Sequence, residues 1–216
     1  MTQRPSGESG RPTATDGTST SPEELEKRGI LRRFQGVTFE SIEARGLPKR
    51  QDIRTNFARA KEYAANIKAN AKDGVGMILA GGYGTMKTTL AVAVLREWID
   101  TGHGGILVPM VSLMDNLYTL RTLNREEMAR YEERIRKTSL LVLDDLGGEN
   151  TDQSWVLAKV DAIVTERYNR MLPTIVTTNL DKSELAKTYS GRIMDRLRST
   201  SLYLSFGSGS QRETVQ

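Results

Sequence analysis

Two kinds of apolar pattern alternate along this 216-residue chain. The first is a short unbroken run. Met77-Ile78-Leu79-Ala80 is one such run, closed by glycines, and Ile106-Leu107-Val108-Pro109-Met110 is another. Leu140-Leu141-Val142-Leu143 ends in two aspartates, and Thr174-Ile175-Val176-Thr177-Thr178 is rich in β-branched residues. Runs of this length bounded by turn formers predict buried strands. Ser201-Leu202-Tyr203-Leu204-Ser205-Phe206 alternates instead, which predicts a fifth strand with one drier face.

The second pattern has helical spacing. Leu90, Val94 and Trp98 share a face with Ala91, Leu95 and Ile99. Val156, Val160, Ile163 and Val164 mark a helix over 152–171, with Thr151 as N-cap. Asp52 opens a third over 52–70, with Ile53, Phe57, Ala60, Ala64 and Ile67 on its stripe. Strands alternating with helices predict an α/β fold, a parallel sheet flanked by helices on both faces. Ligands of such sheets bind beyond the carboxyl ends of the strands.

Outside the patterned body, residues 1–22 hold only Met1 and Ala14 as apolar residues besides proline. That is too little burial to offset the entropy of ordering, so a disordered tail is expected. Residues 207–216 read as a second tail, 23–51 as a basic lead-in and 52–206 as the core. Cysteine is absent and His103 is the sole histidine. Disulfides, thiol nucleophiles and histidine-rich metal cages are thereby excluded. No apolar stretch approaches the roughly 20 residues of a membrane span, and the N-terminus lacks an apolar signal region. A cytoplasmic protein is expected. The formal charge is +4, but it is uneven. Residues 27–61 carry ten basic and three acidic residues, a net +7 that leaves −3 elsewhere. A basic surface beside the core suits DNA or an acidic partner.

Candidate chemistry lies at the strand ends. The first run leads into Gly81-Gly82-Tyr83-Gly84-Thr85-Met86-Lys87-Thr88, followed by Thr89 and a helix. The phosphate-loop pattern G-x-x-x-x-G-K-[S/T] is met at Gly81, Lys87 and Thr88, with Met86 where glycine is expected. Such a loop wraps backbone N–H groups around phosphate oxygens. Lys87 would neutralise the β- and γ-phosphates, Thr88 would ligate Mg²⁺, and the helix start adds its positive dipole end. A left-handed backbone at Met86 would cost about 1–2 kcal/mol, which a folded domain can absorb.

Asp144 and Asp145 follow Lys87 by 57 and 58 residues. The first acid suits the metal, and the second suits orientation and deprotonation of an attacking water. Asn179 ends the fourth run, where an amide can hold that water. In Gly191-Arg192-Ile193-Met194-Asp195-Arg196-Leu197-Arg198, Arg192 and Arg196 share one helix face. They form either a solvated basic face or an arginine finger that reaches a neighbouring subunit's nucleotide.

In this order the four elements resemble the AAA+ ATPases of the helicase-loader group, the DnaC/DnaI-type loaders and the related IstB-type transposition helpers. The resemblance spans about residues 28–206. It includes the lead-in Arg32-Arg33-Phe34-Gln35-Gly36-Val37-Thr38-Phe39-Glu40 and the segment Pro173 to Leu180. It implies ATP and Mg²⁺ as cofactors, with Lys87 and Thr88 as the Walker A pair and Asp144 as the Walker B metal acid. Asp145 stands where many relatives carry a glutamate base, Asn179 would be sensor 1, and Arg196 (or Arg192) the finger. It further implies a five-stranded parallel sheet ordered 5-1-4-3-2 with a truncated or absent C-terminal lid. The implied partners are a replicative DNA helicase or a transposase, single-stranded DNA, and other copies of the chain assembled with ATP. A nucleotide-binding adaptor with weak turnover, Met86 being its lesion, is the alternative from another class.

Loaders of this group usually carry a separate helicase-gripping domain. Here a short helix around Pro22 to Arg28 would do the gripping, or the partner differs. In relatives, helices matching residues 111–137 face single-stranded DNA. Tyr118, Arg121, Arg125, Arg130, Tyr131, Arg134, Arg136 and Lys137 would serve that role. Glu126, Glu127, Glu132 and Glu133 are interleaved at helical spacing, which describes a solvated helix pair equally well.

Overall fold

A computed structural model describes residues 20–149 and 154–207. Thr151, expected as an N-cap, and most of both expected tails lie outside the described residues. Five strands form one parallel sheet: β1 (Gly76–Gly81), β2 (Gly105–Pro109), β3 (Leu140–Leu146), β4 (Thr174–Thr178) and β5 (Ser201–Phe206). Their order across the sheet is β2-β3-β4-β1-β5, the 5-1-4-3-2 order read from the other edge. β1 therefore lies between β4 and β5, with Leu79 opposite Thr177 and Leu204.

Alternation along β1 divides the core in two. Met77 and Leu79 join one apolar cluster, while Ile78 and Ala80 join the other. Such burial on both faces is what continuous apolar runs require. The first cluster takes in α3 (Gln51–Ala65), α4 (Ile67–Lys72) and α5 (Lys87–Asp100). The second takes in α6 (Met110–Leu123), α7 (Arg125–Lys137), α8 (Ser154–Asn169), α9 (Lys182–Thr188) and α10 (Gly191–Ser199).

The helix expected over 52–70 is two helices. It breaks at Asn66 (φ −102°, ψ 18°), whose side chain donates back to the Glu62 carbonyl at 3.0 Å. A local side-chain bond of this kind competes with helix continuation. Nor does β3 stop at its acids, as the apolar run suggested. It continues to Leu146 through an irregularity in its pairing with β4, and Asp145 sits there at φ 61°.

The lead-in also differs from expectation. Ser21 caps α1 (Pro22–Lys27), so ordered structure begins inside the stretch expected to be a tail. Leu25 on α1, Ile30, Val37, and Phe39 and Ile42 on α2 (Phe39–Arg45) are buried in the first cluster. The Arg28 carbonyl accepts from Leu107 N–H at 2.8 Å and so caps part of the free edge of β2. The apolar side of α1 is thus spent inside the fold. His103 stacks on Trp98 with ring centroids 4.0 Å apart, a packing role.

Buried Arg167 on α8 ties the second layer together. Its guanidinium donates to the carbonyls of Ile135, Arg136, Thr138 and Pro173 and to the Thr174 hydroxyl. The end of α7, the loop before β3 and the start of β4 are thereby held to one side chain.

Candidate nucleotide site

The site lies where β1, β3 and β4 end. β1 opens into the loop 81–86, and Gly81 is required there. It has φ 146°, and a Cβ at that position would lie 1.9 Å from the Phe206 carbonyl oxygen. Gly84 follows at φ 69° and Met86 at φ 70°, ψ 11°. Met86 therefore does occupy the left-handed region, directly before the first turn of α5. Its side chain packs half-buried on the first cluster, which offsets part of that conformational cost. Inside the loop the Thr85 hydroxyl donates to the Gly82 carbonyl at 2.8 Å. Gly82 and Thr89 are half-buried, and Tyr83 stands at the tip, 72% exposed.

Lys87 is buried and reaches back across the loop. Its Nζ donates to the carbonyls of Gly81 and Gly82, each at 2.7 Å, and to Asn179 Oδ1 at 2.9 Å. The Asn179 amide in turn donates to Asp145 Oδ1. Burial and the Asp144 charge push the Asp145 carboxyl above the usual carboxylate range, while Lys87 and Asn179 pull it back. Thr88 Oγ1 donates to Asp144 Oδ1 at 2.8 Å. The loop lysine, the second acid and the amide therefore meet in one chain of contacts, and the loop threonine meets the first acid.

Thr177 completes the arrangement, and apolar patterning gave no hint of it. Its hydroxyl donates to Asp144 Oδ1 at 2.6 Å and accepts from Asp145 N–H at 2.9 Å. One hydroxyl from β4 thus orients both acids of β3. Only the pairing of the two strands puts it there.

Arg192 and Arg196 are not part of this group. They lie on α10 against α8, where both face Asp161. Arg196 also donates to the Thr165 hydroxyl and lies 5.7 Å from the Tyr168 ring centroid. Arg192 is the more exposed of the two. On α7 most cations pair locally: Arg130 with Glu126, Arg136 with Glu132 and Glu166, and Lys137 with Glu133. On α6 the Tyr118 ring is 61% exposed.

Thr88 and Asp144 offer a hydroxyl and a carboxylate, hard oxygen donors of the kind Mg²⁺ takes beside substrate phosphates. Lys87 supplies a point charge at the mouth of a glycine-rich loop. The arrangement can hold a nucleoside triphosphate and set a carboxylate near its terminal phosphate.

The family described as IstB-like ATP binding protein matches residues 52–214. The replicative helicase loader DnaC of Escherichia coli (strain K12) is 27% identical over 193 residues, 88% of this chain and 74% of that protein. The replicative helicase loader DnaI of Bacillus subtilis (strain 168) is 26% identical over 166 residues, 76% of this chain and 51% of that protein. The crystal structure of the DnaC helicase loader superposes with a TM-score of 0.71 at 24% identity, covering 81% of this chain and 99% of that one. The fold is that of the AAA+ P-loop proteins. No described helix is long and apolar enough to cross a membrane. With the family match covering well over half of its length, the chain belongs to the IstB-like ATP binding proteins.

Proposed function

We propose that this chain is an ATP- and Mg²⁺-dependent ATPase that delivers or remodels a hexameric replicative DNA helicase, acting in the cytoplasm as an ATP-dependent homo-oligomer on single-stranded DNA. The observation that carries the reading is the contact chain Lys87–Asn179–Asp145 beside Thr88–Asp144. It joins the ends of three strands at one phosphate loop.

In this reading ATP lies over residues 81–89. Lys87 exchanges its carbonyl partners for the β- and γ-phosphates. Thr88 and Asp144 would hold Mg²⁺, which supplies neutralising charge at those phosphates. Asp145 accepts the proton of the attacking water, and Asn179 orients that water against the γ-phosphate. Thr177 holds the Asp144 carboxylate and the Asp145 backbone. Arg196 of an adjoining copy stabilises the developing charge, so hydrolysis depends on assembly. Arg192 on the same face helps seat that contact. Residues 23–51 act as a basic lead-in to the core 52–206, between an N-terminal and a C-terminal tail. The helicase partner is supported by two relatives, each called a replicative helicase loader. The DNA contact is supported by exposed Tyr118 on α6, with Arg121 and Arg125 close by in sequence.

The test has two arms. ATP turnover per chain is measured across protein concentrations for the unaltered protein and for Arg196→Ala. Turnover should rise with concentration and fall by about 10³-fold in the variant. Turnover unchanged by dilution and by Arg196→Ala defeats the assembly claim. A pull-down from the native host, with and without ATP, should retain a hexameric helicase. Retention of a transposase in its place would make the chain a transposition helper.

A further inference from the structure

Past its two acids, β3 runs into a turn, Gly147-Gly148-Glu149, that the proposed mechanism leaves unused. Glu149 is buried, 6% exposed. One of its carboxylate oxygens accepts from Gly147 N–H at 2.8 Å, and the other accepts from the Tyr189 hydroxyl. Tyr189 is 2% exposed, and its ring lies in the second apolar cluster with Leu146, Leu185 and Ile193. It is the C-cap residue of α9, next to the Ser190 N-cap of α10. A buried carboxylate with two donors and no cation among its described partners is costly to maintain. Burial and the neighbouring Glu149 push the Tyr189 phenol well above its ordinary range, so it remains a donor.

The turn that this carboxylate holds is wrapped around Asp145. Gly147 has φ 93°, and Gly148 N–H donates to the Asp145 carbonyl at 2.9 Å. A Cβ on Gly148 would lie 2.8 Å from Asp145 Oδ2. Asp145 itself is left-handed at φ 61°, a conformation that costs an L-residue energy although aspartate tolerates it better than most. The Asn179 amide holds the Asp145 side chain from one side. The Glu149 bracket holds its backbone from the other.

We propose that Glu149 and Tyr189 are positioning residues for Asp145, which they join to the α9–α10 junction and so to the helix that carries Arg192 and Arg196. This rests on the reading of Asp145 as the group that activates water. A side chain misplaced by about 1 Å can cost 10²-fold in rate without altering substrate binding. The bracket therefore acts on turnover rather than on affinity.

Glu149→Gln keeps the size of the side chain but turns an amide NH₂ toward one of the two donors. Tyr189→Phe keeps the ring in its cluster and removes one O–H. Three quantities are measured for each: affinity for a fluorescent ATP analogue, ATP turnover at saturation, and hydrogen exchange of individual amides. Affinity should stay within about two-fold, while turnover falls about ten-fold or more in Glu149→Gln and less in Tyr189→Phe. Exchange at Gly147 and Gly148 should quicken in both variants, with β1 and α5 amides unchanged. Quickened exchange with full turnover would overturn the positioning role, as would affinity falling in step with turnover. Unchanged exchange in both variants would overturn the bracket itself. An unaltered protein that shows affinity but no turnover at any concentration would refute the hydrolysis reading, and the positioning role with it.

Discussion

Met86→Gly restores the residue that the phosphate-loop pattern expects, and its outcome can be worked from the backbone. Met86 already sits at φ 70°, ψ 11°. A side chain in that region costs about 1–2 kcal/mol, which glycine removes. Against this, glycine enlarges the freedom of the unfolded chain, a loss of about 0.4–1 kcal/mol. It also gives up the half-buried Met86 side chain on the first cluster, a loss of about 1 kcal/mol when full burial of methionine contributes about 1.5–3. The terms nearly cancel. Stability should change by less than about 1 kcal/mol, a melting shift under about 4 °C for a domain of this size.

Affinity should be equally insensitive, because the loop already has the conformation that glycine would allow. The expected change in nucleotide dissociation constant is under about three-fold. Thermal melts and titration with a fluorescent ATP analogue measure both quantities, and a turnover assay completes the set. A gain of ten-fold or more in affinity, about 1.4 kcal/mol, would refute the reasoning. It would show that Met86 deforms the loop or blocks it, and would favour a nucleotide-binding adaptor. Met86→Val provides the contrast. A β-branched side chain fits poorly at positive φ, so this variant should melt clearly below the unaltered protein.

Two further outcomes follow from charges withdrawn from water, partly at Asp145 and fully at Arg167. Because its folded carboxyl binds a proton more tightly than in the unfolded chain, Asp145 lowers stability as pH rises through the ordinary carboxylate range. Asp145→Asn should therefore melt above the unaltered protein at pH 7, with the gain shrinking at acid pH, while turnover falls; a gain independent of pH would contradict the assignment. Arg167→Ala strips a donor from four carbonyls and a hydroxyl, and should cost about 3–5 kcal/mol in urea melts; a loss below about 1 kcal/mol would show that water replaces the guanidinium.

Much of the fold is legible in the chain because its signals are local. β4 and β5 have the bounds that their runs suggested, and β1 differs by one glycine at each end. At position 86 the loop pattern only posed a left-handed backbone as a condition, and the structure meets that condition at φ 70°. Other features escaped for physical reasons. The stripe over 52–70 has helical spacing on both sides of Asn66, so periodicity could not reveal the break that the Asn66 side chain makes. The lead-in looked like a charged docking segment because its few apolar residues are scattered. Leu25, Ile30, Val37, Phe39 and Ile42 become one buried set only when α1 and α2 fold onto α3 and α5.

The site divides along the same line. Gly81, Lys87 and Thr88 could be named from the phosphate-loop pattern, and Asp144, Asp145 and Asn179 because strand runs end in them, at the carboxyl edge of a parallel sheet. The chain by itself determined which elements form and which polar residues stand at their ends, since backbone propensity and apolar period depend on near neighbours. Tertiary structure alone decided that Thr177 would serve both acids, that Glu149 would meet Tyr189 forty residues away, and that Arg192 and Arg196 would lie against α8. Contacts over such separations depend on strand order and register, and those arise only when the whole sheet packs.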